Sequence, residues 1–233
     1  TGTEVERRGV PQLENAWNGG GALSHPEIVK KIHKDYINLG AEIVISNTFA
    51  TTKHALEDAG QVDNFIALNE QGIKLALEAR DELKKDNTLV AGGISYWTWT
   101  GNKPTLNELN SSVTQQAKIM KDAGADFIML EMMIDIEQMI TTFKAAQSSG
   151  LPIWVGLTCE PNQSNEMCLR DGDKLEDVIT VLKSFNPDVI NIMHTEVEYI
   201  EECLDILKKD WGGYIGVYAH SGTSIDGDWT FNN

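Results

Sequence analysis

Six short apolar runs punctuate the chain, and each ends abruptly in polar side chains. They read AEIVISNTF (41–49), TLVAGGISY (88–96), ADFIMLEMM (125–133), PIWVGLTC (152–159), DVINIMHT (188–195) and YIGVYAHS (214–221). Runs of this length without alternation predict strands buried on both faces. They close on residues able to do chemistry: Asn47, Thr48, Glu131, Cys159, His194 and His220. The segments between them carry helical periodicity and start signals. Ser24-His-Pro-Glu27 predicts a capping box with proline in the first turn, and Thr105-Leu-Asn-Glu108 predicts a second. Asp173 is placed to cap a helix whose Leu175, Val178, Ile179 and Leu182 share one face. Strands alternating with helices predict βαβ units and a parallel sheet, which binds ligands beyond the carboxyl ends of its strands. One polar strand end can simply begin a loop. Six of them point to a common mouth.

Composition narrows the function. At 233 residues and 41% hydrophobic, the chain supports one sizeable core, and no linker or low-complexity tract divides it, so residues 1–233 are read as a single domain. The apolar runs are strand length, too short to span a membrane. The first residues, TGTEVERRG, lack the apolar core of a signal peptide. Three cysteines, Cys159, Cys168 and Cys203, form no disulfide framework and predict a reduced cytoplasmic setting. A net charge of −16 argues against nucleic acid or an anionic membrane as partner and is read as serving solubility. No GxGxxG, phosphate loop, HExxH or CxxC motif occurs. Tyr96, Trp97 and Trp99 form either an aromatic wall over a ligand or a loop anchored by its own rings.

The opening Gly2-Thr-Glu-Val-Glu-Arg-Arg-Gly9, then Trp17 and Ser24-His-Pro-Glu27, resembles the start of the homocysteine S-methyltransferase family. The similarity continues through His33, Tyr36 and Gly40 to Phe49. It returns in Ala123 to Glu131, and more faintly in Asp171-Gly172 and Tyr218-Ala-His-Ser-Gly222. The resemblance implies a TIM (β/α)8 barrel that moves a methyl group from a small donor, such as betaine or S-methylmethionine, to the thiol of homocysteine. It also implies a zinc ion on three cysteines that turns the thiol into a nucleophilic thiolate. By the same resemblance Glu131 holds the substrate's amino group, Thr48 lines the amino-acid pocket on the second barrel strand, and Gly2 and Thr3 form a glycine-rich turn near the substrate carboxylate; Asn47, the polar strand end beside Thr48, is a further substrate-binding candidate. The residues themselves agree about Glu131: an acid ending a strand as apolar as FIML calls for a cation, whether a ligand's or that of a lysine or arginine.

The departures from the family are specific. Thr195 stands where the family's first zinc cysteine should be, in Ile192-Met-His-Thr195. The family's first strand and its eighth, with an adjacent cysteine pair, have no counterpart, so a barrel lacking its first and last strands is expected here. His194 adjoins the substituted position and is a candidate metal ligand; with Cys159 and His220 it forms either a Cys/His/His site or the polar lining of a pocket. No catalytic residue is assigned and no zinc is expected in these 233 residues. Three classes of function follow: a homocysteine S-methyltransferase, a divergent barrel enzyme without the zinc-thiolate site acting on another small substrate, or a non-catalytic small-molecule binding barrel.

Overall fold

The computed structural model describes residues 1–220 in full and the backbone of 222–225 and 228–231. It divides into two compact units, Thr1–Leu130 with Thr141–Ile153, and Glu131–Ile140 with Trp154–Asn233.

The first unit opens with helices α1 (Gly2–Arg7), α2 (Gly21–Ser24) and α3 (Pro26–Asn38). Strand β1 (Ile43–Ile45) leads into α4 (Lys53–Asp58) and α5 (Phe65–Glu82), and β2 (Leu89–Ile94) into α6 (Leu106–Ala123). Strand β3 (Phe127–Met133) belongs to this unit as far as Leu130. β1 pairs with β2 and β2 with β3, both parallel, with Val44 opposite Val90 and Gly92 opposite Ile128. Every residue of β3 is buried, as an uninterrupted apolar run requires. The predicted capping box at Thr105 is present: its hydroxyl accepts the Glu108 N–H, and the Glu108 carboxylate accepts the Thr105 N–H at 2.9 Å. From that start Leu109, Val113, Ala117 and Met120 recur at helical spacing and are fully buried.

The capping box expected at Ser24-His-Pro-Glu27 does not form. Ser24 is the last residue of α2, so its backbone is already helical and cannot take the extended conformation of an N-cap. Its hydroxyl donates instead to the Gly20 carbonyl at 3.0 Å, and α3 starts behind His25 with no side-chain cap. Gly2 and Thr3, expected in a turn, begin α1.

The second unit continues β3 from Glu131 and holds the start of α7 (Ile136–Gln147). Strand β4 (Ile153–Leu157) is followed by a hairpin of β5 (Cys159–Pro161) and β6 (Met167–Leu169), then α8 (Leu175–Phe185), β7 (Val189–Glu196), α9 (Ile200–Asp210) and β8 (Tyr214–His220). β4 pairs with β7 and β7 with β8, again parallel, with Val155 opposite Ile190 and Ile190 opposite Ile215. A second antiparallel hairpin joins β9 (Gly222–Ile225) to β10 (Asp228–Phe231). Ser221, assigned from sequence to the last strand, lies outside the described residues.

The four apolar residues of α8 are fully buried on one face, each contributing roughly 1.5–3 kcal/mol of transfer free energy. The cap is elsewhere than expected. Asp173 is held by its carbonyl, which accepts the Leu169 N–H at 2.7 Å, and its carboxylate turns to accept the Ile136 N–H at 2.7 Å. It therefore adds a second cap to α7, whose preceding residue Asp135 accepts the Gln138 N–H at 2.8 Å, while Lys174 precedes α8 without a side-chain cap. A further difference lies at the end of β4, which stops at Leu157; Cys159 opens the hairpin, facing Leu169 across an antiparallel pair. Among the described residues no helix is long and apolar enough to cross a membrane.

Candidate functional site

In the first unit the polar cluster after β1 is tied down by hydrogen bonds. The Thr48 hydroxyl, fully buried, donates to the Gly93 carbonyl at 2.8 Å and lies 2.7 Å from the Ser46 hydroxyl. Because Thr48 gives its one proton to Gly93, Ser46 is the donor between them. Thr48 is thus a fixed wall, with its methyl against α5: a Cβ added at Gly72 would stand 2.6 Å from Thr48 Cγ2. Asn47 Nδ2 donates to the Asn18 carbonyl at 3.0 Å. Asn18 also meets Gly2, where an added Cβ would lie 2.3 Å from Asn18 Nδ2 and equally close to the Trp17 ring. The structure therefore gathers Gly2, Asn47 and Thr48 around Asn18 and the end of β1. Thr3 is exposed on α1.

Asn18 is a residue that sequence reasoning missed. It is 3% exposed, and its Nδ2 has no hydrogen-bond partner. In Trp17-Asn18-Gly19-Gly20-Gly21 it reads only as turn chemistry. The aromatic segment also resolves. Tyr96 is core, while Trp99 meets Phe49 edge-on at 6.1 Å and Phe49 meets Trp17 at 6.5 Å. His54 on α4 approaches the Trp97 carbonyl at 3.2 Å through Nε2, and burial lowers its pKa.

In the second unit, Glu131 on β3 is buried, and burial pushes its carboxyl up to about 7 against the opposing pull of the Tyr218 hydroxyl. That hydroxyl, on β8, lies 3.4 Å from Glu131 Oε2 and 2.9 Å from Met193 Sδ. Tyr218 was legible only as a neighbour of His220, since residues two apart on a strand share a face. Met132 and His194 both carry positive φ, 57° and 48°, and β7 shifts register between Met193 and Glu196. Non-glycine residues held in this region store strain of order 1–3 kcal/mol and cluster at functional sites.

The bulge sets His194 Nδ1 3.4 Å from His220 Nδ1. The surrounding protein, and after it the His220 imidazole, lowers His194 to about 4, although the residue's outer face meets solvent. Both rings are therefore neutral near pH 7. Thr195, fully buried, donates its hydroxyl to the Met193 carbonyl at 3.1 Å and accepts the Cys159 N–H at 2.9 Å. The neighbouring Cys203 thiol, and then burial, raise the Cys159 thiol well above its ordinary value. The Thr195 hydroxyl, at the position where the resemblance expects a cysteine ligand, is thus committed to the backbone and is a neutral oxygen rather than a thiolate.

Comparison with known proteins follows this geometry. Residues 1–232 match the profile described as homocysteine S-methyltransferase. The betaine–homocysteine S-methyltransferase 1 of Sus scrofa is 26% identical over 156 residues, covering 64% of this chain and 54% of that protein. The homocysteine S-methyltransferase 2 of Zea mays is 22% identical over 255 residues, covering 97% of this chain and 73% of that protein. The chain thus spans about half the length of the pig relative. Among solved structures, the metallated homocysteine methyltransferase MmuM of Escherichia coli superposes with a TM-score of 0.74 at 18% identity, over 94% of this chain and 88% of that one. That likeness shows the fold, the α/β barrel type that the family resemblance implied.

Proposed function

The chain belongs to the homocysteine S-methyltransferase family, and from that premise we propose that it transfers a methyl group from a small onium donor to the thiol of homocysteine. A C–S bond forms to the acceptor sulfur as the bond from the methyl carbon to the donor's positively charged nitrogen or sulfur breaks. The donor departs as a neutral amine or sulfide, and the thiol proton passes to solvent. The single observation that carries this reading is Glu131. A carboxyl buried at a strand end, with its pKa raised to about 7, is a group waiting for a cation, and the ammonium of an amino acid supplies one.

Within the first unit we assign Gly2, Thr3, Asn47 and Thr48 to substrate binding. Thr48 acts there as a rigid wall, because its proton is engaged by Gly93. The edge-to-face series Trp17, Phe49, Trp99 offers ring faces to an onium methyl group. A cytoplasmic setting agrees with three buried free thiols. One observation favours a second reading, a barrel enzyme acting without the zinc-thiolate site on another small substrate: the engagement of Thr195 by the backbone.

The test is methionine formation from homocysteine with betaine and with S-methylmethionine, followed by mass spectrometry, for wild type and Glu131→Gln. Methionine from one donor, with KM for homocysteine raised in the variant, supports the proposal. No methionine from either donor, with methyl transfer to another thiol or none, turns the assignment to the second reading.

A further inference from the structure

Two connections within the first unit are laced to one another. One runs from β1 to α5 and contains α4; the other, residues 95–104, runs from β2 to α6. Both leave the carboxyl ends of paired strands. Three contacts join them. The Thr100 hydroxyl donates to the Asp58 carboxylate. Trp99 meets Phe49, the residue after Thr48, edge-on with ring centroids 6.1 Å apart. His54 Nε2 lies 3.2 Å from the Trp97 carbonyl. Thr100 also organises its own loop: with its proton given to Asp58, its oxygen accepts from the Thr98 hydroxyl at 3.1 Å and the Asn102 N–H at 3.3 Å.

The His54 contact fixes a tautomer. A carbonyl only accepts, so Nε2 carries the hydrogen and Nδ1 the lone pair. His54 is 9% exposed, and Nδ1 is buried without a hydrogen-bond partner. Protonating the ring in place puts an N–H and a positive charge where nothing accepts them. Burial accordingly lowers the imidazole, against the carbonyls of Trp97 and Tyr96 in the facing loop and against Asp58 and Glu57 on its own helix, all of which favour the cation. The adjacent cation, Lys53, is turned over the Phe65 ring at 5.2 Å.

We propose that residues 95–104 form an acid-released strap across the carboxyl ends of β1 and β2, with His54 as its latch. The strap governs access to the strand end that carries Asn47 and Thr48, whatever ligand the protein takes. Lifting it takes the imidazole out of burial, so protons favour the lifted form. Closure is therefore complete above the ordinary imidazole value of 6.5 and weakens as pH falls below it.

The experiment is hydrogen exchange read by mass spectrometry on the ligand-free protein at pH 7.5 and 5.0, each rate divided by the intrinsic rate at that pH. At pH 5.0, strap peptides should lose up to about thirtyfold in protection, the limit set by a lifted ring that titrates at 6.5, while β2 and α5 keep theirs. His54→Gln, whose amide donates to Trp97 but does not titrate, should hold the strap at both pH values. Thr100→Val, at an exposed position, should lower strap protection at both and preserve the ratio between them. Equal wild-type protection at the two pH values overturns the proposal, as does a His54→Gln strap that acid releases as in wild type. Parallel loss in β2 and α5 overturns it too, by showing global unfolding. If His54→Gln does not fold, Thr100→Val decides: lowered protection with the wild-type pH ratio supports the strap, and unchanged protection at pH 7.5 refutes it.

Discussion

The Tyr218 hydroxyl reaches Glu131 Oε2 at 3.4 Å and Met193 Sδ at 2.9 Å, so one phenolic proton serves a carboxyl on β3 and a thioether on β7. The bond to Glu131 offsets part of the burial that raises that carboxyl to about 7. Burial, and then the Glu131 charge, pushes the Tyr218 phenol up in turn. The phenol therefore stays protonated and remains a donor throughout the range in which Glu131 titrates.

Glu131 should make both ligand affinity and stability depend on pH. An ammonium prefers the carboxylate, so amino-acid affinity should rise as pH climbs through about 7, with proton release on binding at pH 7. For stability the sign is opposite. The native carboxyl titrates near 7 and the unfolded one near 4.5, so the native state holds more protons between those values and stability falls as pH rises through them. Glu131→Gln should remove that loss, making the unliganded protein more stable than wild type at pH 8 by up to about 3 kcal/mol. Urea unfolding at pH 4.5 and 8 measures it; a variant that gains nothing at pH 8 contradicts the assignment. Tyr218→Phe should move the pH midpoint of binding upward.

His33 on α3 contributes the acid limb. It is 1% exposed, its Nε2 lacks a partner, and burial lowers its pKa to about 3. The unfolded imidazole takes a proton near 6.5, so stability is complete above that value and declines as pH falls toward 3. In His33→Leu the melting temperature should fall less between pH 6.5 and 4 than in wild type. Parallel curves for the two proteins would assign the acid sensitivity to other groups.

The two cap predictions separate cleanly by mutation. Asp173→Ala removes the acceptor of the Ile136 N–H at the start of α7 and should cost about 1 kcal/mol. Ser24→Ala, which removes no cap, should stay within about 0.5 kcal/mol of wild type. Chemical denaturation of both variants is the check, and equal losses would refute the structural assignment of the caps.

Packing between α5 and the end of β1 predicts a coupled pair. Gly72→Ala puts a methyl 2.6 Å from Thr48 Cγ2 and should cost about 1–3 kcal/mol. Thr48→Ser removes that methyl while keeping the hydroxyl that donates to Gly93. The double variant should therefore recover much of the loss. Additive losses in a double-mutant cycle would show that the strain is relieved elsewhere.

What the chain determined unaided is its local physics. Uninterrupted apolar runs bounded by turn signals read as strands, so all six were legible as strands, as was the buried stripe of Leu175, Val178, Ile179 and Leu182. Burial on both faces was not equally legible: Tyr214–His220 is a largely exposed strand, with Tyr214 and Val217 open to solvent. Glu131 was legible for the same reason, because a carboxyl within FIMLEMM has no inexpensive alternative to meeting a partner. Tertiary structure decided everything that depends on which group a polar atom meets. Asp173 caps α7 rather than the helix that follows it in sequence, since its backbone is held by Leu169 and its side chain turns away from α8. Ser24 bonds backwards because α2 has already made its backbone helical. Thr195 lies between the Met193 carbonyl and the Cys159 N–H because a bulge in β7 redirects the strand end. The open amide of Asn18 has no signature along the chain. A hydrophobic period is a property of neighbouring residues, whereas a hydrogen-bond partner is a property of residues brought together only by folding.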